Sequence, residues 1–167
     1  MRRFNKLLII LFFAGIFFIA GCSSKESPTP RGTPTGDVVS DAISDEKQVI
    51  IYKSSTCGCC SAYASYMKKK GFDVKVIDMQ DLTSIKDKYG IPYILQSCHT
   101  SIIDNYFIEG HIPVEAINKL LAEKPDIMGI AMPGMPSASP GMPGAKTSDF
   151  VISAVNKDGN YPEFMRM

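Results

Sequence analysis

QVIIYKSSTCGCCSAYASYM, residues 48–67, joins a short apolar run to a cluster of thiols and then to a helical pattern. Gln48 to Tyr52 is rich in β-branched residues and reads as a buried strand. Thr56 is placed to cap a following helix whose inner face carries Tyr63, Tyr66 and Met67. Lys68, Lys69 and Lys70 in its last turn and Gly71 just beyond are the expected stop signals. Cys57, Cys59 and Cys60 therefore fall at a strand-to-helix junction, where unpaired backbone N–H groups and the positive end of the helix dipole favour thiolate over thiol.

Working outward, Phe72 to Met79 predicts a second strand. Asp81 is positioned to cap a short helix with Leu82, Ile85 and Tyr89 on one side, closed by Gly90 and Pro92. His99 to Ile103, an Asp104-Asn105 turn and Tyr106 to Glu109 read as a hairpin. Pro113 opens a helix with Val114, Ile117, Leu120 and Leu121 at helical spacing, stopped before Pro125. The order β-α-β-α-β-β-α, with cysteines at the first junction, resembles the thioredoxin fold. After residue 126 the pattern changes to a Met/Pro/Gly loop containing Met132-Pro133-Gly134-Met135 and Pro140-Gly141-Met142. A final strand is expected over Phe150 to Val155, followed by an Asp158-Gly159 turn. The fold class is α/β, a thioredoxin-like domain with an extra C-terminal loop and strand.

Both ends of the cysteine question follow from residue type and spacing. Cys57 and Cys60 have the C-x-x-C spacing of a thiol–disulfide motif, with Cys57 as nucleophile and Cys60 as resolving thiol. Cys59 is one sulfur too many for that purpose. Cys57 and Cys60 lie one helical turn apart, whereas adjacent Cys59 and Cys60 diverge by roughly 100° on an ideal helix. Such thiolates fit poorly around one tetrahedral ion and better around several ions bridged by sulfur, a habit of Cu(I). Soft sulfur ligands select Cu(I), zinc or iron–sulfur centres over hard cations. Cys98, in Ser97-Cys98-His99-Thr100, is the expected fourth sulfur, and it stands near where thioredoxins present a proline; Pro92 comes several residues too early. With the metal absent, a disulfide from Cys98 to one of Cys57, Cys59 or Cys60 is expected to close the site.

The two histidines, His99 and His111, are further candidate ligands. In a regular strand His99 would face away from Cys98. Met132 and Met135 are candidate thioether ligands, and packing over the core is their plainer use.

The N-terminus reads as a processing signal. Arg2, Arg3 and Lys6 precede an apolar run from Leu7 to Ala20, which is short for a membrane span and fits a secretory leader. Ile19-Ala20-Gly21-Cys22 resembles a bacterial lipobox, with Cys22 lipidated and residues 1–21 removed. The chain then reads as a tether over residues 22–45 and a metal-binding domain over 46–167. Without the leader, 15 basic residues face 17 acidic ones. Nothing in that balance provides the basic stripe of a nucleic-acid binder. Setting Cys22 aside leaves four cysteines of five. In an exported domain, on the periplasmic or outer side of a membrane, those four must be oxidised, metal-bound or kept reduced by a partner.

The TCGCC motif after a YKSS strand, followed by KYGIP, SCHT, EGHIP, GIAMPGMP and SPGMPG in that order, resembles the bacterial CopG-type periplasmic proteins. These are thioredoxin-like metal-binding proteins, associated with copper resistance and long carried as a domain of unknown function. The likeness covers about residues 48–160. It implies copper binding through Cys57, Cys59, Cys60 and Cys98, and with the thiol geometry above the expectation is a multinuclear Cu(I) site rather than one zinc. The expected partners are copper ions, the membrane through the Cys22 lipobox, and another copper-handling protein or a thiol reductant. Storage, transfer and redox cycling are all compatible with these residues. A metal-binding protein is the first expectation, and a thiol–disulfide or copper oxidoreductase the alternative.

Overall fold

A computed structural model describes residues 47–167; the leader, Cys22 and the tether lie outside the described residues. Among those described, no helix is long and apolar enough to cross a membrane. The elements run β1 (Gln48–Ser54), α1 (Gly58–Lys69), β2 (Asp73–Met79), α2 (Thr83–Lys88), a 3-10 turn (Tyr93–Leu95), β3 (His99–Ile103), β4 (Tyr106–Glu109), α3 (Val114–Glu123), β5 (Gly129–Ala131), β6 (Val151–Val155) and β7 (Glu163–Arg166).

One mixed sheet holds all seven strands in the order β2-β1-β3-β4-β5-β6-β7. The pairs β1–β2 and β4–β5 are parallel and the others antiparallel. The thioredoxin-like β-α-β-α-β-β-α order is present, with the extra loop and strands on its C-terminal side. Strand alternation sorts side chains to two faces. Val49, Ile51, Ile103, Ile108, Ile130 and Ile152 pack with α1 and α3 through Tyr63, Met67, Ile117 and Leu120. Phe107, Ala131 and Val155 form a smaller cluster on the other face with Ile91 and Leu95.

Several local expectations shift. The N-cap of α1 is Cys57 rather than Thr56, and its side chain makes no capping bond. The Thr56 hydroxyl bonds to that of Ser54 instead. Asp81 does serve the start of α2, accepting from the Thr83 N–H at 3.0 Å and its hydroxyl at 2.7 Å. The chain does not end on β6. A turn through Asp158-Gly159 returns it as β7, which closes a hairpin on the sheet edge.

Candidate metal centre

The end of β1, the first turn of α1 and the start of β3 meet at one corner of the sheet. Antiparallel pairing of β1 with β3 sets Lys53 opposite His99, so the chain leaves β1 for Cys57 beside the point where Cys98 enters β3. Cys60 is fully buried on the inner side of α1, and its sulfur lies 3.7 Å from the Cys98 carbonyl. Cys57, Cys59 and Cys98 are half-buried.

Cys57 and Cys60 are joined by a disulfide with Cα atoms 5.4 Å apart. Cys59 and Cys98 carry free thiols. The expected bridge from Cys98 is therefore replaced by one within the C-x-x-C turn, where a single helical turn already brings the two sulfurs together. The Cys59 thiol stands 3.5 Å from Cys57 Sγ. All four sulfurs lie within 4.8 Å of one another. Burial, and the neighbouring Cys59, push the Cys98 thiol up to about 11. Cys98 is accordingly a thiol at neutral pH, and a metal must displace its proton.

Both histidines join this corner, and His99 departs from the alternation expected of it. Cys98 precedes β3, so its side chain is not bound to the strand's two-residue period. His99 Nδ1 approaches Cys98 Sγ at 3.5 Å. The His99 ring packs 4.5 Å from Tyr63 and 4.8 Å from His111, centroid to centroid. The Cys98 thiol donates to His111 Nε2 at 3.1 Å, while His111 Nδ1 lies 2.7 Å from the Pro140 carbonyl. A carbonyl only accepts, so Nδ1 carries the proton and Nε2 presents its lone pair to Cys98. Burial lowers the pKa of both rings, that of His99 to about 3. Both are neutral imidazoles at pH 7. The ligand atoms of Cys60, Cys98, His99 and His111 also lie within 4.8 Å of one another.

Three supports escape sequence reading. Tyr63, fully buried, donates its hydroxyl to the Ile112 carbonyl at 3.0 Å and so ties α1 to the segment carrying His111. The Met/Pro/Gly loop folds over α1, and at Gly141 (φ +84°) a Cβ would meet Tyr63 N at 2.7 Å and the Cys59 carbonyl at 2.8 Å. Lys86 and Glu109 form a buried ion pair across the other face. The Glu109 carboxylate also accepts from Ser97 N–H at 2.6 Å and the Thr100 hydroxyl at 2.6 Å, gripping the residues on either side of Cys98-His99. The readable signal for Glu109 was a charge ending the apolar run Tyr106-Phe107-Ile108. Lys86 gave none, since a lysine on a short helix reads as solvated.

Met132 is buried in the main core and Met135 is exposed with a left-handed backbone (φ +46°).

A family model described as "Protein of unknown function, DUF411" matches residues 95–142, which hold Cys98, both histidines and the loop. Two solved structures are similar over most of the domain, "Copper resistance protein copG- Form 2" and "Copper resistance protein copG- Form 1". Each is 33% identical with a TM-score of 0.67, over 72% of this chain; the match spans 97% of the first and 96% of the second. No curated protein matches the chain.

Proposed function

The chain belongs to the family of the copper resistance protein CopG, and from that premise we propose that it binds copper as Cu(I) through the thiolates of Cys57, Cys59, Cys60 and Cys98. The observation that carries this reading is the four sulfurs within 4.8 Å of one another, contributed by two distant segments. Four thiolates in so small a volume repel one another unless cations lie between them, and Cu(I) accepts bridging sulfur. Cys57 is the N-cap of α1 and Cys59 lies in its first turn, where the helix dipole adds positive potential. The reading is of more than one ion, because Cu(I) accepts bridging thiolates, and the copper stoichiometry separates it from a single tetrahedral ion. His111, His99 and the loop methionines Met132 and Met135 are secondary ligand candidates.

The Cys57–Cys60 disulfide must first be reduced by two electrons, so loading with copper needs a dithiol reductant. A lipid anchor at Cys22 would hold the domain on the periplasmic or outer side of a bacterial membrane, where it serves copper resistance by sequestration, transfer or redox handling. Anaerobic titration of the reduced protein with Cu(I), followed by metal analysis, tests the reading. More than one copper per chain is expected, with fewer in Cys59→Ser. No retained copper, or unchanged stoichiometry in that variant, counts against it.

The disulfide itself favours a second reading, a thiol–disulfide oxidoreductase. Half-buried Cys57 would be attacked by a substrate thiolate and buried Cys60 released. The protein would gain two electrons and two protons as the substrate dithiol becomes a disulfide. Turnover of a test dithiol or disulfide at catalytic rates, absent in Cys60→Ser, distinguishes this activity from metal binding.

A further inference from the structure

With Cys57 and Cys60 tied to each other, the sulfur-only site has lost two of its four ligands. Cys98, His99 and His111 are untouched by that bond, and their donor atoms remain together. The Cys98 sulfur stands 3.1 Å from His111 Nε2 and 3.5 Å from His99 Nδ1. The Pro140 carbonyl fixes the proton of His111 on Nδ1, at 2.7 Å. That is the outer-shell arrangement by which proteins orient a metal-binding imidazole. Both rings are fully buried. His99 Nε2 and, two residues along the same face of β3, Ser101 Oγ have no hydrogen-bond partner among the described residues. His99 Nδ1, the nitrogen beside Cys98, has only that long sulfur contact, so a metal can take it without displacing a good hydrogen bond.

We propose that the disulfide form of this protein holds a second metal site, in which Cys98, His99 and His111 bind one borderline divalent cation of the zinc class. One thiolate and two imidazoles form a donor set that suits such an ion, with a fourth position open. The set is poorer in sulfur than the outer cluster and so favours borderline divalent ions over Cu(I). On reduction, Cys60 becomes available as a second sulfur, its Sγ already within 4.8 Å of the other three donors. Cys98 then belongs to both sites. The oxidation state of the Cys57–Cys60 pair thus decides whether this corner offers nitrogen and one sulfur to a divalent ion or four sulfurs to Cu(I). The divalent site does not depend on the copper reading, because it concerns the oxidised protein and a different ion.

Cobalt(II) is the probe, since its spectrum reports both coordination number and thiolate ligation. The full chain is prepared with the Cys57–Cys60 disulfide confirmed by peptide mapping and titrated with Co(II). One cobalt per chain is expected, with intense visible bands of a four-coordinate ion and a sulfur-to-cobalt charge-transfer band, both removed by Zn(II). Cys98→Ser should abolish the charge-transfer band, and His111→Gln should weaken binding about tenfold or more. If Cys98→Ser fails to fold, His111→Gln carries the test. The proposal is overturned if the disulfide form retains no cobalt, if no charge-transfer band appears, or if His111→Gln binds as the native protein does. Failure of Cu(I) binding by the reduced protein would leave these outcomes unchanged.

Discussion

Lys86 and Glu109 meet as a buried ion pair, 6% and 0% exposed, beneath the segment that carries Cys98. Burial pushes the Glu109 carboxyl up, against the Lys86 charge and the hydrogen bonds from Lys86, Thr100 and Ser97. Lys86→Met would leave that carboxylate buried without its counter-charge, at a cost of roughly 3–5 kcal/mol. A well-packed apolar pair at both positions should recover most of it. Denaturant unfolding of the two variants measures this. A Lys86→Met protein as stable as the native one would remove the pair from the account.

Acid stability should reveal the imidazoles. His99 is held at about 3, against an ordinary 6.5, mainly by burial, and His111 is lowered in the same direction. A depressed folded value means a contribution fully present above about pH 6.5 and lost progressively as pH falls toward 3. Glu109, raised by burial, works in the opposite sense, but the larger displacement of His99 decides the sign. Asp81 and Asp158, held low by hydrogen bonds from Thr83 and Asn160, act only at more acid pH. The melting temperature of the metal-free protein should therefore fall between pH 6.5 and 4.5. A flat profile there would mean that the rings protonate without penalty.

Gly141→Ala is expected to destabilise the protein by about 1–3 kcal/mol, because the new methyl meets backbone atoms of α1 and the residue keeps φ +84°. Gly134, also left-handed (φ +83°) but with open space around it, serves as the control. Gly134→Ala carries only the backbone strain. Thermal melts showing the same loss in both would mean that contact with α1 adds nothing.

Cys22→Ser should leave the chain unprocessed or release it from membranes. Fractionation of cells, with the mass of the mature N-terminus, tests the lipid anchor. A variant that is processed and membrane-bound like the native protein would rule the anchor out.

What could be read in advance divides along physical lines. β1, α1 and the β3–β4 hairpin announce themselves because each buries its own regular pattern: Val49 and Ile51 alternate, and Tyr63 and Met67 share a helix face. The hairpin turns where Asp104 takes a left-handed backbone (φ 51°). β5 is three residues, Gly129-Ile130-Ala131, too short to show a period, and it is a strand only because β4 and β6 supply hydrogen bonds on both sides. β7 likewise depends on β6. Among site residues the four cysteines were evident from type and spacing. The Cys57–Cys60 bond was legible only as the alternative its C-x-x-C spacing offers, because proximity favours every pairing and the helical turn selects this one. The approach of His99 to Cys98 escaped because alternation was extended to Cys98, which lies before the strand.

Cys98, His99 and Thr100 are consecutive, yet each serves a different neighbourhood. Cys98 faces the sulfur corner, His99 packs on Tyr63, and Thr100 bonds Glu109 on the opposite face of the sheet. Function here is written in chain length as much as in residue type. Adding or deleting one residue between Ser97 and Thr100 would turn the imidazole toward the Lys86–Glu109 pair and the hydroxyl toward Tyr63. Relatives that handle metal in this way should therefore differ in length almost anywhere before that in these four positions.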